Sequence, residues 1–327
     1  MKVLVGTASW SDKSLVASKK FYPRGAGTPE ARLRFYATRF PLVEVDTSYY
    51  AIPLPETAQA WADRTPANFT INAKAFRIFT GHATTANVLP PDLRGELPRL
   101  SKANFYYKDL GADLRAALWD RFKAALQPLR ASGKLGMVHF QFAPWIIRNR
   151  DGHAHVRQCI ETMKDYTVSV EFRHKTWFDA AHVGSTLAFE RELNVVHTVI
   201  DSPQGFTNTV PPVWESTHMQ YSLVRLHGRN HETWNIKGAK SAAERFNYDY
   251  RDEELADIAA RVERLAPETF ITHVVMNNNY EDQGQRNAAS LIRIIAERRK
   301  ALVPRLQLSP ERAEEVEAGR WVEEQPA

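Results

Sequence analysis

The sequence predicts a single (β/α)8 barrel, and three observations carry that expectation. Eight short runs rich in β-branched and aromatic residues recur at 3–9, 42–46, 69–74, 135–142, 167–173, 194–201, 221–228 and 270–278. Stretches of helical periodicity lie between most of them, and strands that alternate with helices pair in parallel through crossovers. An open sheet has no reason to stop at eight such units, whereas a barrel closes there. The chain has 327 residues, 43% hydrophobic and 25% charged, an ordinary globular composition. That length would also accommodate two domains, a division the unbroken alternation argues against.

The helices follow from local chemistry. Residues 29–39 begin on Thr28 as N-cap with Pro29 at the first helical position, and 55–64 start on Pro55 in the same way. In 111–130, Leu114, Leu118, Phe122 and Leu126 recur every four residues and form one apolar face. Residues 153–165, 180–193, 252–265 and 284–300 complete the set, the last ending on Arg298, Arg299 and Lys300, which suit a helix C-terminus. Two stretches break the pattern: 75–110 after the third strand, and 202–220 with Pro203, Pro211 and Pro212 where a sixth helix is due. Both follow strand C-termini, the end at which barrel enzymes build their sites.

Composition excludes several classes. One cysteine, Cys159, rules out a disulfide framework within the chain and reads as a small buried apolar residue. The opening apolar stretch is too short for a secretory leader, and no run approaches the roughly 18 residues of a membrane span. A cytoplasmic protein without membrane contact is expected. The net charge is +5, but residues 310–327 hold six acids and two bases, so the body up to residue 309 carries +9. We place the barrel at 1–305 and an acidic tail at 306–327. A basic body suits an anionic partner, a small molecule or a nucleic acid.

Residues two apart on a strand share a face. In the second run Glu44 and Asp46 oppose Val43 and Val45, and in the third Asn72 and Lys74 oppose Ile71 and Ala73. The same split separates His139 and Gln141 from Phe140, Glu171 and Arg173 from Phe172, and Arg225 and His227 from Leu226. Asp201 closes the sixth run and Asn277 the eighth. With the apolar face on the helices, the polar face points into the barrel near its C-terminal mouth. Glu44, Asp46, Lys74, Gln141, Glu171, Arg173, Asp201, Arg225 and His227 are thereby expected around one opening. Mixed charges in a closed space must pair with each other or with a ligand. The bland alternative is a self-satisfied salt-bridge plug.

The order of these residues resembles the YecE-like family, domain of unknown function 72. The resemblance rests on Gly6-Thr7-Ala8-Ser9-Trp10, Phe21-Tyr22-Pro23, Val43-Glu44-Val45-Asp46-Thr47-Ser48-Tyr49-Tyr50, Lys74-Ala75, Val170-Glu171-Phe172-Arg173-His174, Val224-Arg225-Leu226-His227-Gly228-Arg229 and Asn277-Asn278. It covers nearly all of residues 1–290 and implies a (β/α)8 barrel, with no established activity. One departure stands after Gln141, where Phe142-Ala143-Pro144 replaces the family's proline pair.

For chemistry, the residues favour an anion. Arg225 and Arg173 offer forked donors to phosphate or carboxylate, Lys74 a point charge, and His227 a group that titrates near neutrality. His227, Glu171 and Lys74 are the candidate catalytic residues of a metal-independent hydrolase or lyase. Arg225, Arg173, Glu44, Asp46, Gln141, Asp201, Asn277, Trp10 and Tyr49 are the candidate ligand-binding residues. Lys74 as a Schiff-base nucleophile is a further option. No cofactor is expected, since no glycine-rich nucleotide loop and no HExxH motif is present. A metal-dependent phosphodiesterase could use Glu44, Glu171, Asp201 and His227, but three fixed cations at the same mouth oppose it, and no metal ligand is assigned. Trp10, Tyr49, Tyr50, Phe76, Trp145, Trp177 and Trp234 follow or end strands, and Arg229, His231, Lys237 and Lys240 extend a basic rim. Aromatics beside cations hold single-stranded nucleic acid, so a non-catalytic nucleic-acid or metabolite-binding barrel is the alternative.

Overall fold

Alternating runs with one apolar and one polar face can satisfy both only by wrapping the polar face inward, and the chain does so. The computed structural model describes residues 2–97, 103–238 and 242–302; the acidic tail, Pro98 and Lys240 lie outside them. The elements begin with β1 (Lys2–Ala8), α1 (Lys13–Ser18), α2 (Pro29–Arg39), β2 (Leu42–Val45), α3 (Thr47–Tyr50), α4 (Pro55–Asp63) and β3 (Thr70–Lys74). A two-stranded hairpin, β4 (Thr84–Thr85) with β5 (Asn104–Phe105), precedes α5 (Ala112–Ala131) and β6 (Leu135–Gln141). Then come α6 (Arg150–Thr162), β7 (Val168–Glu171), α7 (Val183–Glu192), β8 (Val196–Asp201) and β9 (Tyr221–Leu226). The short α8 (Ala242–Arg245), α9 (Asp252–Leu265), β10 (Ile271–Met276) and α10 (Gln283–Leu302) complete the described chain.

Eight strands close into a parallel barrel in the order β1-β10-β9-β8-β7-β6-β3-β2. Each outward face is apolar: Val43, Val45, Ile71, Val224, Leu226 and Val274 pack with Leu255, Ile258 and Val262 of α9. Val138, Phe140, Val170 and Phe172 pack with α5 on the opposite side. Caps form as the residue types dictate, with Thr28 Oγ1 accepting from the Ala31 N–H and Asn149 Oδ1 from the Gly152 N–H. Tyr36 of α2 ties the first two strands together, its hydroxyl taking the Thr7 N–H and donating to the Leu42 carbonyl.

The two irregular stretches differ in kind. Residues 202–220 contain no helix or strand, as expected. Residues 75–110 are not a bare loop: besides the hairpin they include 3-10 turns at Ala86–Val88, Pro91–Glu96 and Tyr107–Asp109. Phe76, Ile78, Phe79, Leu89 and Phe105 are fully buried there. Their spacing follows no period because the segment packs by turns, which sequence periodicity cannot register.

One irregularity sits inside the barrel. The pairing of β3 with β6 shifts between Ile71 and Ala73, and Asn72 fills the gap. Its Oδ1 accepts the Met137 N–H at 3.0 Å and faces His273 Nδ1 at 3.1 Å. Gly136 makes the room, because a Cβ there would lie 2.4 Å from that oxygen. Gly136→Ala should therefore expel Asn72, leave the Met137 amide unpaired and cost about 1–3 kcal/mol. A urea denaturation midpoint unchanged from wild type would contradict this account of the bulge.

Candidate functional site

The polar inner faces meet in the upper barrel around Arg225. This guanidinium is completely buried and donates to Glu44 of β2 and Glu171 of β7, both at 2.5 Å, with Gln141 of β6 at 3.4 Å. Arg173 donates to the other oxygen of Glu171 at 2.8 Å. His139 and His227 flank the same carboxylate, their Nε2 atoms 3.4 and 3.3 Å from it. Burial would lower the Arg225 guanidinium, but Glu44, Glu171 and Asp46 outweigh it and hold it protonated. Burial would likewise raise Glu171, yet Arg225, then His227 and His139, push it well below the carboxylate range.

These contacts revise the roles expected of several residues. Arg225 spends its fork on two carboxylates. Glu171 is a buried anion paired with Arg225 and Arg173. His227 is also buried, beneath Trp234 and Phe246 of the connection between β9 and α9. Burial is the main cause that drops it to about 3, against the pull of Glu171. Asn277 Nδ2 lies 2.6 Å from His227 Nδ1, so the neutral ring accepts there and turns its Nε2–H toward Glu171. Asp201 does not join this network: it shares the outward face with Val199, and its carboxylate takes Arg229 and the Tyr250 hydroxyl. The parity of β8 within its own run already assigned that face, and only its place at the strand end suggested the mouth.

Above the network lie Lys74 and Arg173, both largely buried, with Arg77 partly exposed and Arg245 exposed. Lys74 lies 3.5 Å from Asp46 and 4.8 Å from the Tyr49 ring centre, and Arg77 stands 5.4 Å from the same ring. Burial would raise the half-buried Asp46, but Lys74, then Arg225 and His139, hold it below its usual value. Arg173 lies over Trp234 at 5.0 Å. Burial, and then Lys74, Arg77 and Arg173, depress His82 to about 3. Burial, and then Arg173, lower Arg245 of α8. Arg77, His82 and Arg245 were missed in the sequence because they sit in irregular segments beyond strand ends, where no alternation marks a face.

Of the aromatic candidates, Tyr49, Tyr50 and Trp145 keep exposed surface. Trp10 packs edge-on against Trp61, Phe76 is core, Trp177 stacks on Phe172 and Trp234 covers His227. His155 is half-buried beside Cys159, which is buried as anticipated. Among the described residues no group of three or more His, Cys, Asp or Glu could hold a metal ion, and no helix is long and apolar enough to cross a membrane.

Fold and site together define a (β/α)8 barrel with an ion network sealed in its upper interior and cations around its mouth. A profile for the family described as "Protein of unknown function DUF72" matches residues 4–314. The UPF0759 protein YunF of Bacillus subtilis (strain 168) is 30% identical over 305 residues, 93% of this chain and 98% of that protein. The crystal structure of the DUF72 family protein EF0366 from Enterococcus faecalis V583 is similar at 25% identity and TM-score 0.72, over 90% of this chain and 95% of its own. That of TM1631 from Thermotoga maritima MSB8 shares the fold at 24% identity and TM-score 0.68, over 90% and 100%. The chain belongs to the DUF72 family.

Two measurements test the network. Arg225→Met leaves the buried Glu44 without its cation and Glu171 with Arg173 alone, and should cost about 3–5 kcal/mol in chemical denaturation; a loss under 1 kcal/mol would contradict the pairing. His227 stays neutral in the fold down to about pH 3, whereas its ordinary value is 6.5. The unfolded chain therefore takes up that proton first. Its contribution is complete above pH 6.5 and drains away as pH falls toward 3, by about 1.4 kcal/mol per pH unit. Unfolding midpoints at pH 7, 6 and 5 should decline, and His227→Gln should flatten the decline.

Proposed function

We propose that the barrel mouth binds a phosphate-bearing or similar anionic ligand, held by Lys74, Arg77, Arg173 and Arg245. One observation carries this reading. Among the described residues, Glu44 and Glu171 pair with Arg225 and Arg173 inside the barrel and Asp46 pairs with Lys74, while Arg77 and Arg245 add further positive charge nearby. Burying like charges together is costly unless an anion compensates them. The Arg77 Nε, buried without a hydrogen-bond partner, is a donor in waiting. Arg173 and Arg245 supply planar forks suited to phosphate oxygens, and Lys74 a compact charge.

Binding is the primary role in this reading. His227 and Glu171 are fully buried and paired within the network, away from a ligand at the mouth. A metal-independent hydrolase or lyase step would instead fall to Lys74 and Asp46, the titratable pair at the opening. A metal-dependent reading finds less support, because Glu44 and Glu171 are committed to Arg225 and Asp201 faces the helices.

Calorimetric titration with inorganic phosphate and a simple phosphomonoester, with and without EDTA, tests the proposal. Saturable binding that weakens with added salt is expected, and Arg173→Ala and Lys74→Ala should each weaken it about tenfold, roughly 1.4 kcal/mol. Affinity unaffected by either variant, or indifferent to salt, would exclude the mouth as the anion site. Phosphomonoester turnover that survives EDTA but vanishes in Lys74→Met would make the protein an enzyme.

A further inference from the structure

We infer that a groove beside the mouth is a base-binding subsite, and that the ligand is a nucleotide unit whose planar base seats against Trp145 while its phosphate meets the cations. This deepens the reading of the mouth as an anion site and rests on it. The groove has a volume of about 670 Å³, within the range of small-molecule sites. Trp145, Tyr106, Tyr107, Ile146, Ile147 and His155 line it, an apolar and aromatic wall fit for a flat heterocycle.

Trp145 is the centre of the argument. It is 52% exposed, unusual for an indole, yet it is fixed in place by its Nε1–H on the Gly81 carbonyl at 2.8 Å. Its neighbours His82 and Tyr106 meet it at 69° and 84°, so neither lies parallel on its face. The indoles of the core are different: Trp119 stacks on Phe79 at 3.6 Å and Trp177 on Phe172 at 3.8 Å. A rigid, exposed indole with no stacked partner among the described residues is the arrangement that holds a base, since every base offers a π-face.

A chain of ring contacts links the groove to the cations. The Trp145 ring touches His82, His82 touches Tyr49 at 5.3 Å, and Lys74 and Arg77 stand over Tyr49. His82 is uncharged and divides the phosphate end from the base end. Lys108 and Asp151 also line the groove and offer a donor and an acceptor to the polar edge of a base. A ligand with an anion at one end and a flat heterocycle at the other matches both halves.

The test compares ribose 5-phosphate with the four 5′-mononucleotides by calorimetry on the full chain. Wild type should bind at least one nucleotide tenfold or more tighter than ribose 5-phosphate. Trp145→Ala should erase that preference and leave ribose 5-phosphate affinity unchanged, and Trp145→Phe should restore most of it. Equal affinity for the two ligands, or an equal loss of both in Trp145→Ala, overturns the base subsite and leaves the anion site standing. Binding of none of these probes overturns both. A short single-stranded oligonucleotide distinguishes the source: affinity at least tenfold above the mononucleotide, with a steep salt slope, assigns the unit to a strand. Equal affinity assigns it to a free nucleotide.

Discussion

Everything at the upper end of this barrel depends on one guanidinium. Arg225 reaches across the interior from β9 and joins Glu44 of β2 to Glu171 of β7. Three strands far apart in the chain are thus held by charge where a simpler barrel would use packed aliphatic side chains. Such an arrangement gains little stability over an apolar core, because desolvating the ions offsets most of their attraction. What it supplies is direction. Glu171 has a fixed orientation, so Arg173 above it, His139 beside it and His227 behind Asn277 all take defined positions.

The lower barrel is built on a different principle. Leu4, Leu42, Met137, Val196, Leu223 and Val275 fill it as an apolar layer, and polarity rises toward the strand C-termini. The transition falls at Asn72 and His273, where the bulge in β3 needs an amide to complete the ladder and a glycine opposite to admit it. Stability is concentrated below and chemical character above. The connection carrying Trp234 and Phe246 then closes over His227.

Much of this was legible in the sequence, for identifiable reasons. Eight strands and the helices between them followed from period and caps, and Thr28–Pro29 marked the start of α2 to the residue. The inward face was legible too, since Glu44, Lys74, Glu171 and Arg225 all stand two residues from a polar or charged neighbour on a strand. What alternation cannot reveal is which of these charges satisfy one another. Arg225 and Arg173 look alike in the sequence, yet one is a buried tie between strands and the other lies near the opening. The rim residues Arg77, His82 and Arg245 belong to segments shaped by tertiary packing, and no local pattern marks them. Asp201 shows the converse, a strand-end acid whose parity sends it to Arg229 and Tyr250.

The packed insertion between β3 and α5 has one more consequence. Because Phe76, Ile78 and Phe79 anchor it in the core, Arg77 and Gly81 are held by the same short stretch that is buried around them. Arg77 faces the cations, and the Gly81 carbonyl fixes Trp145. The spacing between the charged end and the aromatic end is therefore set by the hydrophobic core, not by a flexible hinge. For the two-ended ligand we propose, it would act as a ruler, favouring ligands whose ends lie that distance apart.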